Sequence, residues 1–168
     1  MKTKVAINGF GRIGRNAFKI AFDRDDLEIV AINDLTDNAT MAHLLLNDSN
    51  YGRYQHKVSS DEKGISVDGK HIAVFNEKDP STLPWGDLKV DVVIESTGFF
   101  TKKEDAELHI KAGAKRVVIS APTKSEDVPT IVLGANEDKL DGSATVISNA
   151  SCTTNSVAAV MSILDEAF

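Results

Sequence analysis

The chain has 168 residues, 42% of them hydrophobic and 26% charged, with a formal net charge of −6. That length supports one domain with a real core, the composition is ordinary for a soluble globular protein, and the acid excess leaves no basic footprint for nucleic acid or an acidic membrane surface. A single cysteine cannot form an internal disulfide, no apolar run approaches the ~20 residues of a transmembrane helix, and Met1–Val5 opens no long apolar stretch, so a cytoplasmic protein without a signal peptide is expected.

Val5-Ala6-Ile7 is a short apolar run that ends in Asn8-Gly9, a buried strand entering a turn. From Arg12 to Asp23 the apolar residues Ile13, Ala17, Phe18, Ala21 and Phe22 fall at helical spacing. Leu27–Ile32 reads as a second strand, and Ala39–Leu46 as a second helix that Thr36 or Asp37 can cap. Ile65–Phe75 alternates around Asp68-Gly69, a strong hairpin signal, so an antiparallel insertion is expected over about residues 50–90, with an irregular loop through Pro80 and Pro84. Val90–Ile94 returns to a strand. Lys103–Ala112 is a helix stopped by Gly113, and strands follow at Arg116–Ser120, Ile131–Leu133 and Thr145–Ile147. A last helix runs from Cys152 to Phe168, with Val157, Val160, Met161, Leu164 and Phe168 on one face. Strands alternating with helices predict an α/β fold: a doubly wound, mostly parallel sheet covered on both faces.

Gly9-Phe10-Gly11-Arg12-Ile13-Gly14 matches G-x-G-x-x-G between a predicted strand and a predicted helix. The first glycine makes the tight turn, the second lets the backbone approach a pyrophosphate, and the third allows close helix–strand contact. The helix start adds unpaired N–H groups and positive dipole. Asp34 ends the second strand 20 residues past Gly14, where an acid accepts from a ribose hydroxyl and repels a 2′-phosphate. The alternative is a glycine-rich turn with a capping aspartate. Strand, glycines, helix and acid together favour a Rossmann-type site for NAD over NADP.

Ser151-Cys152-Thr153-Thr154-Asn155 holds the only cysteine, at the start of the final helix. A helix N-terminus favours a thiolate and aims N–H groups at an oxyanion on an attacked carbon. Ser151, Thr153 and Thr154 add hydroxyls able to hold phosphate or a polar substrate. The local residues are equally compatible with a buried free cysteine amid capping residues. A nucleophilic thiol needs a base, yet none of His43, His56, His71 and His109 has a spacing that points to Cys152; each reads as a surface or packing residue. No His/Cys/Asp/Glu cluster has metal-ligand spacing, so no metal is expected.

Lys4–Arg15 with its fingerprint, then Asn33-Asp34-Leu35, Ser96-Thr97-Gly98, Ser120-Ala121-Pro122 and Ser151–Asn155, occur in order. Together they closely resemble the phosphorylating glyceraldehyde-3-phosphate dehydrogenases over the whole chain. The resemblance implies NAD-dependent oxidation of an aldehyde through a thiohemiacetal on Cys152, hydride transfer to the nicotinamide, and release of the acyl group by inorganic phosphate. It assigns Arg12 and Ile13 to the pyrophosphate site beside Gly9, Gly11 and Gly14. Asp34 goes to the adenosine ribose, Lys78 to the adenine, and Ser96, Thr97, Gly98, Phe100 and Ser120 to the cofactor cleft. Ser151 and Thr153 go to substrate or attacking phosphate, and Leu35 to the NAD-specific form.

The resemblance also implies a longer parent, because the histidine that activates the thiol, the arginine that binds substrate phosphate and the final helix of the family all fall beyond Phe168. Residues 1–150 are then the dinucleotide-binding domain and 151–168 the first helix of a catalytic domain. The expected parent is a homotetramer acting on a phosphorylated aldehyde, with erythrose 4-phosphate as the alternative substrate. The 168-residue chain by itself is expected to bind NAD and turn nothing over; a nucleotide-binding module or an assembly role are the other functions it admits.

Overall fold

A computed structural model describes residues 1–168. Ten strands and five helices follow in the order β1 (Thr3–Asn8), α1 (Arg12–Phe22), β2 (Leu27–Asn33), α2 (Asn38–Leu46), β3 (Asn47–Asp48), β4 (Gly52–Arg53), β5 (Val58–Asp61), β6 (Gly64–Val67), β7 (Lys70–Phe75), α3 (Trp85–Leu88), β8 (Val92–Glu95), α4 (Lys103–Lys111), β9 (Arg116–Ile119), β10 (Val146–Ser148) and α5 (Cys152–Ala167). Eight strands form one sheet in the order β10-β9-β8-β1-β2-β7-β6-β5, while β3 and β4 pair by themselves. Within the eight-stranded sheet, pairing is parallel from β10 through to β7 and antiparallel at β7/β6 and β6/β5; the β3/β4 pair is antiparallel as well. The parallel part reads β7-β2-β1-β8-β9-β10, the doubly wound Rossmann order, and strand order reverses between β1 and β8.

Alternation along β1 divides the core. Val5 and Ile7 point to one face, where they pack with Phe18 of α1 and Met41 and Leu45 of α2. Ala6 points to the other, where Trp85 of α3, Ala106 of α4, Val93 and Val117 gather. Both faces are dry, which is why the parallel strands read as continuous apolar runs. Asp37 caps α2 by accepting from the Thr40 N–H at 2.9 Å, and Gly113, at φ +105°, ends α4 as expected.

The hairpin forms where the Asp-Gly signal lies: Val67 pairs Lys70 across Asp68 and Gly69, at φ +48° and +80°. Positive φ at both central residues is the two-residue geometry that matches strand twist. The insertion is not a separate layer, however. Its last strand, β7, lies parallel to β2, so the hairpin lengthens the main sheet. The loop through Pro80 and Pro84 is more ordered than its prolines suggest. Asp79 caps a 3-10 turn at Pro80–Thr82, and α3 buries Trp85 completely.

The strand expected at Ile131–Leu133 is absent. The side chain of Asn136 accepts from the Val132 N–H at 2.7 Å and donates to the Thr130 carbonyl at 2.9 Å, which uses the backbone groups a strand would need. Only a single bridge, Thr130 to Ser148, remains, and Leu133 is exposed. Of the apolar residues at helical spacing in α1, Ile13 is exposed, and Phe18 and Ala21 are the buried ones. Helix α5 buries no residue: Val157, Val160, Met161, Leu164 and Phe168 all face outward. No helix is long and apolar enough to cross a membrane.

Candidate functional site

The fingerprint turn is built by two glycines that cannot be anything else. Gly9 leaves β1 at φ +90°, and a Cβ there would lie 2.6 Å from the Thr97 nitrogen. A Cβ on Gly14 would lie 2.1 Å from the Gly9 carbonyl oxygen. Gly11 differs: a Cβ there would meet nothing within 4 Å. It stands at the N-cap of α1 with no side chain capping the helix, so the first-turn N–H groups and the dipole face open space. An uncapped helix start behind an open glycine is what a pyrophosphate requires, and the site fits a dinucleotide on that ground.

Asp34 follows β2 by one residue. Its carboxylate accepts from the Phe10 N–H at 2.6 Å and the Thr36 N–H at 2.9 Å, which ties the end of β2 to the fingerprint turn. Ser96 follows β8 in the same way, and its hydroxyl donates to the carbonyls of Gly9 at 2.7 Å and Asn8 at 3.1 Å. Between these strand ends, at the point where strand order reverses, lies a cleft of about 560 Å³. Of the residues singled out in the sequence, Gly9, Gly11, Asp34, Leu35, Lys78, Ser96, Thr97 and Phe100 line it. Arg12, Ile13 and Gly14 continue the first turn of α1 behind Gly11, with Gly14 packed under the loop. Gly98, at φ +78°, joins two lining residues without lining the cleft itself. Ser120 lies one strand further out; its N–H donates to the Glu95 carbonyl at 2.9 Å.

Cys152 occupies a different place. It is exposed on the first turn of α5. Ala150 turns the chain at φ +63° just before the helix, and Ser151 is the N-cap, its hydroxyl accepting from the Thr154 N–H at 2.9 Å. The Asn155 side chain donates to the carbonyls of Asn149 and Ser151, fixing the turn from the other side. Thr153 lines a shallow depression with Thr154, Val157 and Ala158. None of the four histidines bonds to Cys152: His43 lies on α2, His56 and His71 pair with aspartates of the sheet extension, and His109 is inside the core.

Sequence reasoning missed several residues of the cleft and its floor. Asn8, Asn33 and Glu77 line the cleft, whereas Phe99, which also lines it, fell within the expected stretch from Ser96 to Phe100. Behind them Glu95 is buried and bonded to His109. A signal existed for His109, because it sits three residues after Ala106 on the inner face of α4. Glu95 gave none: an acid closing an apolar strand looks like a strand end in water.

Comparison with known proteins agrees with this geometry. Residues 3–103 match the family described as glyceraldehyde 3-phosphate dehydrogenase, NAD binding domain. Among curated relatives, the chain is 57% identical over 167 residues to a glyceraldehyde-3-phosphate dehydrogenase of Thermotoga maritima, covering 98% of this chain and 50% of that protein. It is 58% identical over 170 residues to glyceraldehyde-3-phosphate dehydrogenase 2 of Streptomyces avermitilis and 56% identical over 169 residues to the enzyme of Geobacillus stearothermophilus, covering 100% of this chain and 50% of each. The chain spans about half the length of the curated relatives it matches. The uncapped helix start, the open glycine, the pinned aspartate and these similarities converge: the chain belongs to the glyceraldehyde-3-phosphate dehydrogenase family, with its NAD-binding domain in residues 3–103.

Proposed function

We propose that these residues form the cofactor-binding part, and supply the nucleophile, of an enzyme that oxidises glyceraldehyde 3-phosphate with inorganic phosphate to 1,3-bisphosphoglycerate. The observation that carries the reading is the exposed Cys152 on the first turn of α5, in a chain that also holds the NAD fold. Residues 1–150 act as the dinucleotide-binding domain, and 151–168 open the catalytic part. Gly9, Gly11, Arg12, Ile13 and Gly14 hold the pyrophosphate, Asp34 the adenosine ribose and Lys78 the adenine edge. Ser96, Thr97, Gly98, Phe100 and Ser120 carry the rest of the cofactor. Bound there, NAD supplies the two-electron oxidant that takes up hydride from the aldehyde carbon.

The Cys152 sulfur adds to the carbonyl carbon as a thiolate, and the first-turn N–H groups of α5 face the oxygen that becomes negative. Thr153 offers its hydroxyl to substrate or attacking phosphate. Ser151 does so from a position fixed by its own N-cap bond. Phosphate then displaces the sulfur from the acyl carbon, which regenerates the thiolate. A free thiol of this kind suits the cytoplasm, and the family resemblance points to a homotetrameric parent.

The 168-residue polypeptide has no histidine bonded to Cys152, and this observation favours a second reading of the chain by itself: it binds NAD and does not turn over. NADH absorbance should show negligible production from glyceraldehyde 3-phosphate, NAD and phosphate, because loss of a general base alone removes about 10²–10⁴ in rate. Turnover near that of a full-length relative would refute this. Iodoacetamide should alkylate Cys152 while calorimetry still records NAD binding. The parent reading is tested by a chimera joining these residues to the remainder of the Thermotoga relative. It should prefer glyceraldehyde 3-phosphate over erythrose 4-phosphate and lose activity on Cys152→Ser.

A further inference from the structure

The buried polar side chains of the sheet are gathered in one row. Asn33, Asn8 and Glu95 are register partners across β2, β1 and β8, at the C-terminal ends of the strands. Each is at most 4% exposed, and His109 and Trp85 behind them are 0% exposed. Hydrogen-bond direction fixes the state of His109. The indole N–H of Trp85 can only donate, and it donates to His109 Nδ1 at 3.0 Å. Nε2 therefore carries the ring proton and donates to Glu95 Oε2 at 3.0 Å. Asn8 Nδ2 donates to the same oxygen at 2.6 Å.

The other carboxylate oxygen, Oε1, accepts from the Thr97 N–H at 2.8 Å and the Thr97 hydroxyl at 2.5 Å. Glu95 thus meets four donors and no acceptor, which suits a carboxylate and excludes an amide. The row then reaches outward. The Thr97 hydroxyl oxygen accepts from the Phe99 N–H at 3.1 Å, so Glu95 sets the course of residues 97–99 on one wall of the cleft. Asn8 Oδ1 accepts from Asn33 Nδ2 at 2.7 Å, and Asn33 also bonds the backbone of Glu77 in both directions, which sets the opposite wall. Asn8, Asn33, Glu77, Thr97 and Phe99 line the cleft, whereas Glu95, His109 and Trp85 do not.

We propose that Glu95, oriented by His109 in the form that Trp85 selects, is a positioning residue that holds both walls of the dinucleotide cleft in binding geometry without touching the ligand. The inference rests on the reading of this cleft as the NAD site. A carboxylate is used because every neighbour is a donor; Gln at this position turns its NH2 toward either Thr97 or the Asn8/His109 pair and frees one wall. His109→Gln keeps a donor near the Nε2 position, and His109→Leu does not.

Calorimetric titration of NAD into the 168-residue chain tests this, with circular dichroism and thermal unfolding recording the fold of each variant. Glu95→Gln and His109→Leu should each weaken NAD by about tenfold, as expected for a lost bond to a charged group. His109→Gln should stay within about threefold of the original. Thr97→Val leaves the core residues in place and serves if Glu95→Gln does not fold; it should weaken NAD by about fivefold with thermal unfolding unchanged. Trp85 is the only tryptophan, so its indole N–H gives one nuclear magnetic resonance signal. NAD should move that signal in the original chain and move it less in Thr97→Val. Folded Glu95→Gln or Thr97→Val with unchanged NAD affinity would overturn the proposal, as would equal affinities for His109→Gln and His109→Leu. An original chain that bound no NAD at millimolar concentration would instead remove the cofactor reading on which it rests.

Discussion

At the scale of single residues, the three fingerprint glycines do three different jobs, and substitution separates them. Gly14→Ala places a methyl 2.1 Å from the Gly9 carbonyl oxygen, so helix α1 must move away from the turn. A loss of about 2–3 kcal/mol in chemical denaturation is expected, the range of an overpacked core. Gly11 has ordinary negative φ and open space around it. Gly11→Ala should therefore fold with a stability change of about 1 kcal/mol or less and still weaken NAD, because the new methyl would occupy the approach proposed for the pyrophosphate. Equal NAD affinity for Gly11→Ala and the original chain would show that the pyrophosphate lies elsewhere. Asp34→Ala removes two acceptors, for the Phe10 and Thr36 N–H groups, and removes the charge that opposes a 2′-phosphate. NAD should weaken by about tenfold while the ratio of NADP to NAD affinity rises. A ratio that does not change would place the ribose away from Asp34.

At the scale of elements, the hairpin extension is tied to α1 by His56. Its Nδ1 lies 2.6 Å from Asp68 in the β6–β7 turn, and its Nε2 lies 2.8 Å from Asp23 at the end of α1. The bond to Asp68 raises the His56 pKa above its ordinary value, with the charge of Asp23 adding to it against some desolvation. The same bond, with one from the Lys57 N–H, lowers Asp68. Because the folded-state value for His56 is raised, its contribution is fully present below the unfolded value of about 6.5 and is lost as pH rises through the folded value. Asp68 acts in the opposite sense, and its contribution is lost as pH falls below the carboxylate range. Unfolding measured from pH 5 to 9 should show stability declining on the alkaline side, and His56→Gln should flatten that decline. An unaltered slope in the variant would assign the pH dependence to other groups.

This element was half legible in the sequence. Asp68-Gly69 between alternating apolar residues announced the hairpin, because the turn needs two positive φ values and the strands a period of two. That β7 would join β2 in parallel was not legible, because register across the 36 residues between Asn33 and Lys70 leaves no local mark. The same holds at the site. Glycines, Asp34 and the thiol carry their chemistry in local spacing, whereas the Asn33–Asn8–Glu95 row exists only once three distant strands are side by side. Ile131–Leu133 failed for a local reason: Asn136, five residues past Ile131, competes for the strand's backbone groups.

At the scale of the whole molecule, one sheet carries two cores, and β1 belongs to both. A strand whose alternate side chains anchor opposite layers couples those layers, so residues 3–148 should unfold as one cooperative unit. Helix α5 lies outside that unit, because it buries no residue and attaches through the Ser151 cap and the Asn155 bonds. Hydrogen exchange should therefore be slow for β1, β2 and β8 and fast throughout α5. NAD bound in the proposed cleft, between β1 and β8, should stabilise only the cooperative unit. At a concentration 100 times the dissociation constant, the gain is about 2.7 kcal/mol, which raises the thermal midpoint of a domain this size by roughly 5–10 °C. The midpoint should rise with the logarithm of NAD concentration while exchange in α5 stays fast. A midpoint unmoved at saturating NAD would mean that the dinucleotide does not bridge the two strands. Protection of α5 upon NAD binding would mean that the thiol helix is part of the nucleotide-binding unit.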